Sequence, residues 1–386
     1  MNILIIHPHD IYSPLEPWTR RVKSIAQELH RRNHKVKLVY FSSARKLPLP
    51  SSRDGYEAIP FDRHISPAVF IKTTLRLIKL AKWADVVHVQ KCHHYAAVPA
   101  AAAAYLSGKP LHYDWDDWEE MIWYESCGRN WHSFLIGFSF KILEKSLPVL
   151  SDSVSVSSSF LGKLALQFGA QKKNIFSAPV GADTVQFSPR VDGSKVKKEH
   201  KVASPLVLYI GQLNGAQYIE MLIKAAEVIL RKYPHTRFMV VGGGFRQEYL
   251  EGLVKELNMK DSVIFTGSVS FDKVPEYIAA ADICVACFQD TLVTRCKSPL
   301  KVAEYLASGK PIVASDVGEV RNMVESAGIL TLPGDVDSLV KGITMLLEDE
   351  KLRLEMGRLS RKRAEDCYNW SRTTDNILEA YGRIRG

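Results

Sequence analysis

Ser298, Lys301 and Glu304 recur at three-residue spacing in Ser298-Pro-Leu-Lys-Val-Ala-Glu-Tyr-Leu-Ala-Ser-Gly-Lys-Pro-Ile-Val-Ala314. Ser298 is a good helix N-cap, Pro299 suits the first helical position, and Gly309 with Pro311 ends the helix. The spacing predicts a short helix that follows a strand and a loop. Its unpaired N–H groups and dipole would hold an anion such as phosphate. Lys301 in the first turn adds a cation. Glu304 lies about one turn on, sharing a face with Leu300 and Lys301, where a carboxylate can accept two hydrogen bonds from a ribose diol. The same spacing also fits a plain i,i+3 ion pair on a helix surface.

A second cluster is His112-Tyr-Asp-Trp-Asp-Asp-Trp-Glu-Glu120, followed by Trp123, Tyr124 and Trp131. It reads as a strand that ends in carboxylates. Asp116 could assist proton transfer from a hydroxyl or stabilise a cationic sugar. Asp117 and Glu119 fit that chemistry or simply the capping of the next helix. The tryptophans, Trp118 among them, could stack on sugar rings or fill the core. Another strand, Val86–Gln90, runs into Lys91, Cys92, His93 and His94; Lys91, His93 and His94 could contact a phosphate. His88 inside that strand reads as a core histidine. No spaced Cys/His/Asp set points to a metal, and Cys284 and Cys287 read as buried packing.

These groups need elements to position them. Short apolar runs at Asn2–His7, Lys35–Phe41, Val86–Gln90 and Ser153–Ser157 alternate with helical stretches. A second series runs through 206–211, 238–241, 263–266, 283–288 and 311–314. The alternation predicts an α/β chain with parallel sheets wound on both faces. The polar stretch 191–205 reads as a linker between domains 1–190 and 206–369. Two such domains facing each other would bind ligands in a cleft at the carboxyl ends of their strands. The loop after the first strand, His7-Pro-His-Asp, has no glycine, which argues against a dinucleotide site there.

Composition narrows the classes. The chain has 386 residues, 46% of them hydrophobic and 24% charged, as expected of a globular protein. Six cysteines are too few for a disulfide scaffold, so a cytoplasmic setting is expected. The formal charge of +9 is uneven. Up to residue 200 there are 27 Lys+Arg against 18 Asp+Glu; beyond it the counts are 24 and 24. A basic half can meet an anionic membrane or an acidic ligand. Nucleic acid is not expected, because no binding motif accompanies the charge.

The stretch from Ser298 to Ala314 resembles the C-terminal donor motif of family-four retaining glycosyltransferases of the GT-B fold. Val180-Gly-Ala-Asp-Thr-Val-Gln-Phe-Ser-Pro189, Leu208-Tyr-Ile-Gly-Gln-Leu213, Phe238-Met-Val-Val-Gly-Gly-Gly244 and Val263-Ile-Phe-Thr-Gly-Ser-Val269 are similar to further segments of that family. The resemblance implies two Rossmann-like domains and a C-terminal helix, 370–386, crossing back to the first. It implies transfer from a UDP- or GDP-sugar to a glycan or lipid-linked acceptor, with no metal and no tightly bound cofactor. Glu304 would then bind the ribose, with Ser298, Leu300 and Lys301 around the pyrophosphate. Gly211 would allow close backbone approach. Gln212, Gly243, Arg295, Cys296, Lys297 and Pro299 would complete the donor site. Asp116 would fall where relatives place a catalytic-loop residue, with Asp117, Trp118, Lys91, His93 and His94 toward the acceptor.

The family pattern departs in three places: Cys296 replaces a usual glutamate, and Gln212 and Gln217 replace usual cations. Arg295, Lys297 and Lys301 could restore the lost charge. A sugar-nucleotide epimerase and a non-catalytic binding relative stay open beside the transferase. The aromatic, weakly basic segment from Asn130 and the loop Ala44-Arg-Lys-Leu-Pro-Leu-Pro50 suggest peripheral contact with the inner face of the membrane. Internal packing is the competing reading of the first, and a solvated loop that of the second.

Overall fold

The computed structural model describes all residues except 14–15, 43, 45–46, 53, 65, 128–129, 204, 215–218 and 386, and the side chains of 17 and 385. Gln217, and Arg45 and Lys46 of the basic loop, lie outside the described residues. The chain divides into two units, Met1–Pro179 with Trp370–Gly386, and Val180–Asn369.

The first unit holds seven parallel strands: β1 (Asn2–His7), β2 (Lys35–Ser42), β3 (Glu57–Asp62), β4 (Val86–Gln90), β5 (Leu111–Trp115), β6 (Ser153–Val156) and β7 (Ile175–Ser177). Their order is β3-β2-β1-β4-β5-β6-β7. Ile3, Leu4, Ile5 and Ile6 of β1 are all fully buried. Such an unbroken apolar run belongs to a sheet covered on both faces, and each buried Ile or Leu contributes about 1.5–3 kcal/mol. Strand β3 carries Pro60, which the sheet tolerates because β3 is an edge. The helix Trp370–Arg385 returns to this unit. Asn376 Nδ2 donates to Ser177 O, Thr373 Oγ1 to Pro179 O, and Arg32 pairs with Asp375 at 2.6 Å.

The second unit repeats the plan with six parallel strands: β8 (Leu206–Ile210), β9 (Arg237–Val241), β10 (Val263–Gly267), β11 (Ile283–Ala286), β12 (Ile312–Ser315) and β13 (Gly328–Thr331). Their order is β10-β9-β8-β11-β12-β13. In each sheet the order reverses next to its first strand, between β1 and β4 and between β8 and β11. Ligands of doubly wound sheets bind outside the carboxyl ends of the strands at such a switch point. The loops after β1, β4, β8 and β11 are therefore the places to examine.

The stretch expected to be a linker does not behave as one. The units part between Pro179 and Val180, and residues 180–205 pack on the second unit. Ser194–Glu199 forms a short helix with Val196 buried, and Val202 is buried too. A Cβ on Gly193 would stand 2.2 Å from Ala280 N. Arg361 Nη1 donates to the carbonyls of Thr184, Phe187 and Ala307. Two isolated valines in a charged stretch show no periodicity, which is why the sequence reads as unstructured there.

Candidate functional site

In the second unit, β8 delivers the chain to Gly211 and β9 delivers it to Gly242. Gly211 has φ +153 and Gly242 has φ +141. A Cβ on Gly242 would stand 1.9 Å from Gly211 O. Gly211 N–H donates to Val241 O, and Gly242 N–H to Gly267 O. Gly243 and Gly244 extend the crowding: their Cβ atoms would meet Ser268 Oγ and Asn214 Oδ1, each at 2.5 Å. Gly242→Ala is accordingly expected to lower unfolding free energy by about 1–3 kcal/mol, since the strained φ and the clash act together. A denaturant midpoint equal to wild type would contradict this packing.

The helix Leu300–Ala307 stands over that loop. Its N-cap is Pro299, and no side chain among the described residues caps it. This corrects the expectation for Ser298. That hydroxyl instead accepts the Val180 N–H at 3.2 Å and faces Met323 Sδ at 3.8 Å. The N-terminal N–H groups are thus left without a side-chain cap, as an anion site requires. Tyr305 anchors the helix to the sheet, its OH accepting the Ile210 N–H at 2.8 Å.

Lys301 reaches from this helix toward Gly211. A Cβ there would lie 2.6 Å from Nζ, and Nζ sits 3.9 Å from the Tyr209 ring centroid and 5.8 Å from that of Phe288. Burial lowers the ammonium to about 7, with Lys297 adding repulsion while Cys287 and Glu304 oppose the shift. Glu304 is buried on the same helix. The aromatic floor of Tyr209 and Phe288 was not singled out from the sequence. Nothing in apolar strand composition distinguishes a ring beneath a cation from one in a core.

Other expected donor residues are arranged differently. Arg295 is clamped in two hydrogen bonds, 2.5 and 2.7 Å, by exposed Asp290. That pairing competes with the role of replacement cation. Cys296 is buried, its Sγ 2.9 Å from Leu292 O. Gln212 accepts from Asn214 Nδ2 at 3.4 Å. Lys297, Pro299 and Leu300 are partly buried beside the helix start. Cys284 and Cys287 are buried, and burial raises their thiols to about 12 and 11.

In the first unit, the ends of β4 and β5 meet. Lys91 takes a left-handed conformation, φ +64, and its buried ammonium turns toward β5. Nζ lies 3.2 Å from Asp116, 3.3 Å from Asp117 and 2.5 Å from Glu119. Lys91 is thus the counter-ion of three carboxylates, which competes with a contact to an acceptor or phosphate. Three acids around one ammonium leave the cluster short of positive charge. Burial raises Asp116, Asp117 adds to the rise, and Lys91 opposes it. The three carboxylates bring oxygens within 4.8 Å of one another, spacing that could hold a metal ion. The lysine ammonium stands in the midst of the trio.

The cap of the following helix, Glu119–Ser126, comes from elsewhere. Glu144 accepts the N–H groups of Glu119 and Glu120 at 2.7 and 3.1 Å and the Trp115 indole at 3.3 Å. So Asp117 and Glu119 are not its caps. Trp118 packs against Phe160, with centroids 6.2 Å apart, and Trp115 is core. His88 donates or accepts at 2.6 Å with Tyr381 OH in the core. His94 is half-buried at the start of its helix.

His93 meets residues the sequence did not single out. Its ring lies edge-on to His9 at 4.7 Å and to Phe140 at 5.0 Å. Glu16 accepts from Arg63 at 2.7 Å, from Asp10 N–H at 2.7 Å, and contacts His9 Nδ1 at 3.1 Å. Burial alone would raise the Glu16 carboxyl, but these partners hold it down at about 2. Burial also keeps His9 and His93 neutral near pH 7. Arg63 and Glu16 are 47 residues apart in sequence and no local motif links them.

Residues 192–363 match the family model for glycosyl transferases group 1. Sulfoquinovosyl transferase SQD2 of Arabidopsis thaliana is 26% identical over 236 residues, which are 59% of this chain and 44% of that protein. The chain spans less than half the length of the first curated relatives it matches. Spore coat protein SA of Bacillus subtilis is 23% identical over 89% of this chain and 98% of its own. Among solved structures, HepE of Anabaena in complex with UDP-glucose has TM-score 0.77 at 19% identity, covering 98% of each chain. Sucrose-phosphate synthase from Thermosynechococcus elongatus has TM-score 0.74 at 18% identity, covering 100% of this chain and 99% of its own. Two parallel Rossmann-like sheets are the fold of these glycosyltransferase structures, the GT-B fold, and residues 192–363 carry the match to the group 1 glycosyl transferases.

Proposed function

We propose that the protein is a retaining, metal-independent glycosyltransferase that takes its sugar from a nucleotide-diphosphate sugar. The observation that carries this reading is one helix, Leu300–Ala307. It offers an uncapped N-terminus, an ammonium beside a glycine carrying no Cβ, and a buried carboxylate. Those are the partners for a diphosphate and a ribose diol. The HepE structure holds UDP-glucose, which makes UDP the first nucleotide to test, with GDP second.

In the proposed chemistry the bond from the anomeric carbon to the diphosphate breaks as the bond to the acceptor oxygen forms on the same face. The acceptor proton passes to a donor phosphate oxygen. The helix N-terminus and Lys301 take up the charge of the leaving diphosphate. Asp116 orients the acceptor hydroxyl. The acceptor would be a glycan or a lipid-linked glycan, and the pathway polysaccharide biosynthesis.

Glu304→Ala tests the donor role. Two hydrogen bonds to a carboxylate are worth about 1.5–3 kcal/mol each, so turnover should fall by about two orders of magnitude or more. Release of nucleoside diphosphate from UDP- and GDP-sugars, with a panel of acceptors, would measure it. Turnover at the wild-type rate would remove Glu304 from the ribose. A second reading rests on Cys296, which is buried where the family pattern has a glutamate. It is a binding protein that holds the nucleotide without turnover. Nucleotide binding with no product from any sugar donor would favour it.

A further inference from the structure

Three neighbouring helices of the first unit leave apolar side chains open to solvent. In Trp131–Leu150, Trp131, Phe134, Leu135, Phe138 and Ile142 keep 47–66% of their surface exposed. At 100° per residue these positions form one stripe. The opposite face, Ser133, Gly137, Phe140, Glu144 and Leu147, is the one packed inward. Phe134 and Phe138 stack with centroids 6.1 Å apart. The helix His94–Leu106 packs against Trp131–Leu150 on one side and Pro67–Trp83 on the other. It exposes Val98, Tyr105 and Leu106; Pro67–Trp83 exposes Phe70, Ile71 and Leu75.

The exposed charges on these three helices have one sign. Pro67–Trp83 carries Lys72, Arg76, Lys79 and Lys82, and Trp131–Leu150 carries Lys141 and Lys145. Their single acid, Glu144, is buried and spent on capping a neighbouring helix. Exposed aromatic and aliphatic side chains bordered by lysines, with no exposed acid on these three helices, match the interface of an anionic bilayer. A second copy of the chain would bring the same positive charges against themselves. No helix among the described residues is long and apolar enough to cross a membrane, so the contact would lie in the interface plane.

We propose that these three helices dock the protein on anionic lipid, with the stripe from Trp131 to Ile142 entering the headgroup region. This deepens the reading of a lipid-linked acceptor, but its test needs neither donor nor turnover.

The test is co-sedimentation of the whole chain with vesicles of phosphatidylcholine alone or mixed with phosphatidylglycerol. Binding is expected only to the anionic vesicles, and weaker at high salt. Phe134→Ser with Phe138→Ser should weaken it about tenfold or more, as should Lys72→Glu, Lys79→Glu and Lys141→Glu together. Both variants change exposed positions, so their circular dichroism and nucleotide-induced thermal shift should match wild type. Absence of wild-type binding, or equal binding to neutral vesicles, would overturn the proposal. So would a salt-stable dimer in sedimentation velocity that the Phe134/Phe138 variant loses. If vesicle binding fails while UDP still shifts the melting point, the docking surface is wrong and the donor site stands.

Discussion

Lys301→Met is expected to lower kcat/KM by about 10²–10³, the usual cost of removing one preorganised donor from a developing anion. The ammonium is held beside Gly211 by the rings of Tyr209 and Phe288, and burial lowers it to about 7. A diphosphate would restore the charged form. Nucleotide binding at pH 8 should therefore take up a proton, and affinity should fall by up to about tenfold per pH unit above 7. Titration calorimetry in buffers of different ionisation enthalpy reads that proton directly. The ligand-free protein should respond in the opposite sense. Between about 7 and the ordinary value of 10.5 the folded chain binds fewer protons than the unfolded chain, so wild-type stability rises with pH. Lys301→Met should therefore melt higher than wild type at pH 6, with the gain shrinking toward pH 10. Equal pH profiles for the two proteins would show that the ammonium is not desolvated, and unaltered kcat/KM that it does not face the diphosphate.

The second large effect is on stability. Arg21 and Asp114 form a fully buried pair, with two hydrogen bonds of 2.8 and 2.7 Å. Arg21 also donates to Ala178 O, and Ser155 Oγ donates to Asp114 at 2.5 Å. The pair ties the helix Arg20–Arg31 to the end of β5. Arg21→Ala leaves a carboxylate in the core without its cation, which costs about 3–5 kcal/mol. For a unit of this size that is a fall of about 6–20 °C in melting temperature. Burial raises Asp114, but Arg21 holds it far below the usual carboxylate range. The pair's contribution is thus present above the unfolded carboxyl value and lost as pH falls below it. In the variant, His88 becomes the nearest cation donor, 3.9 Å from Asp114. Burial now pushes His88 down to about 4. Without Arg21 it should titrate higher, and the stability deficit should narrow toward pH 5. A deficit under about 1 kcal/mol would mean that the site relaxes or admits water.

The strands that sequence shows best are those with continuous apolar runs and turn signals. Asn2–His7 and Val86–Gln90 have the bounds read from the sequence. Glu57–Asp62, interrupted by Pro60, and the three-residue Ile175–Ser177 lack such runs and do not stand out in the sequence. The helix Leu300–Ala307 is legible because proline and glycine punctuate both its ends. Its cap is not, because Ser298 is claimed by Val180, a partner 118 residues away. The same limit hid Glu16, Arg63 and the capping by Glu144. Each depends on side chains that meet only once the sheet is assembled. The carboxylates after β5 were visible as a run, but their common counter-ion required the left-handed turn at Lys91.

The most direct measurement is thermal unfolding with UDP and GDP, for wild type and for Glu304→Ala. A ligand at 100 times its dissociation constant stabilises by about 2.7 kcal/mol, enough for a visible shift. One of the two nucleotides should raise the melting point of wild type, and Glu304→Ala, compared with its own ligand-free melting point, should lose that shift. No shift with either nucleotide, or an equal shift in the variant, would contradict the donor site on the helix Leu300–Ala307.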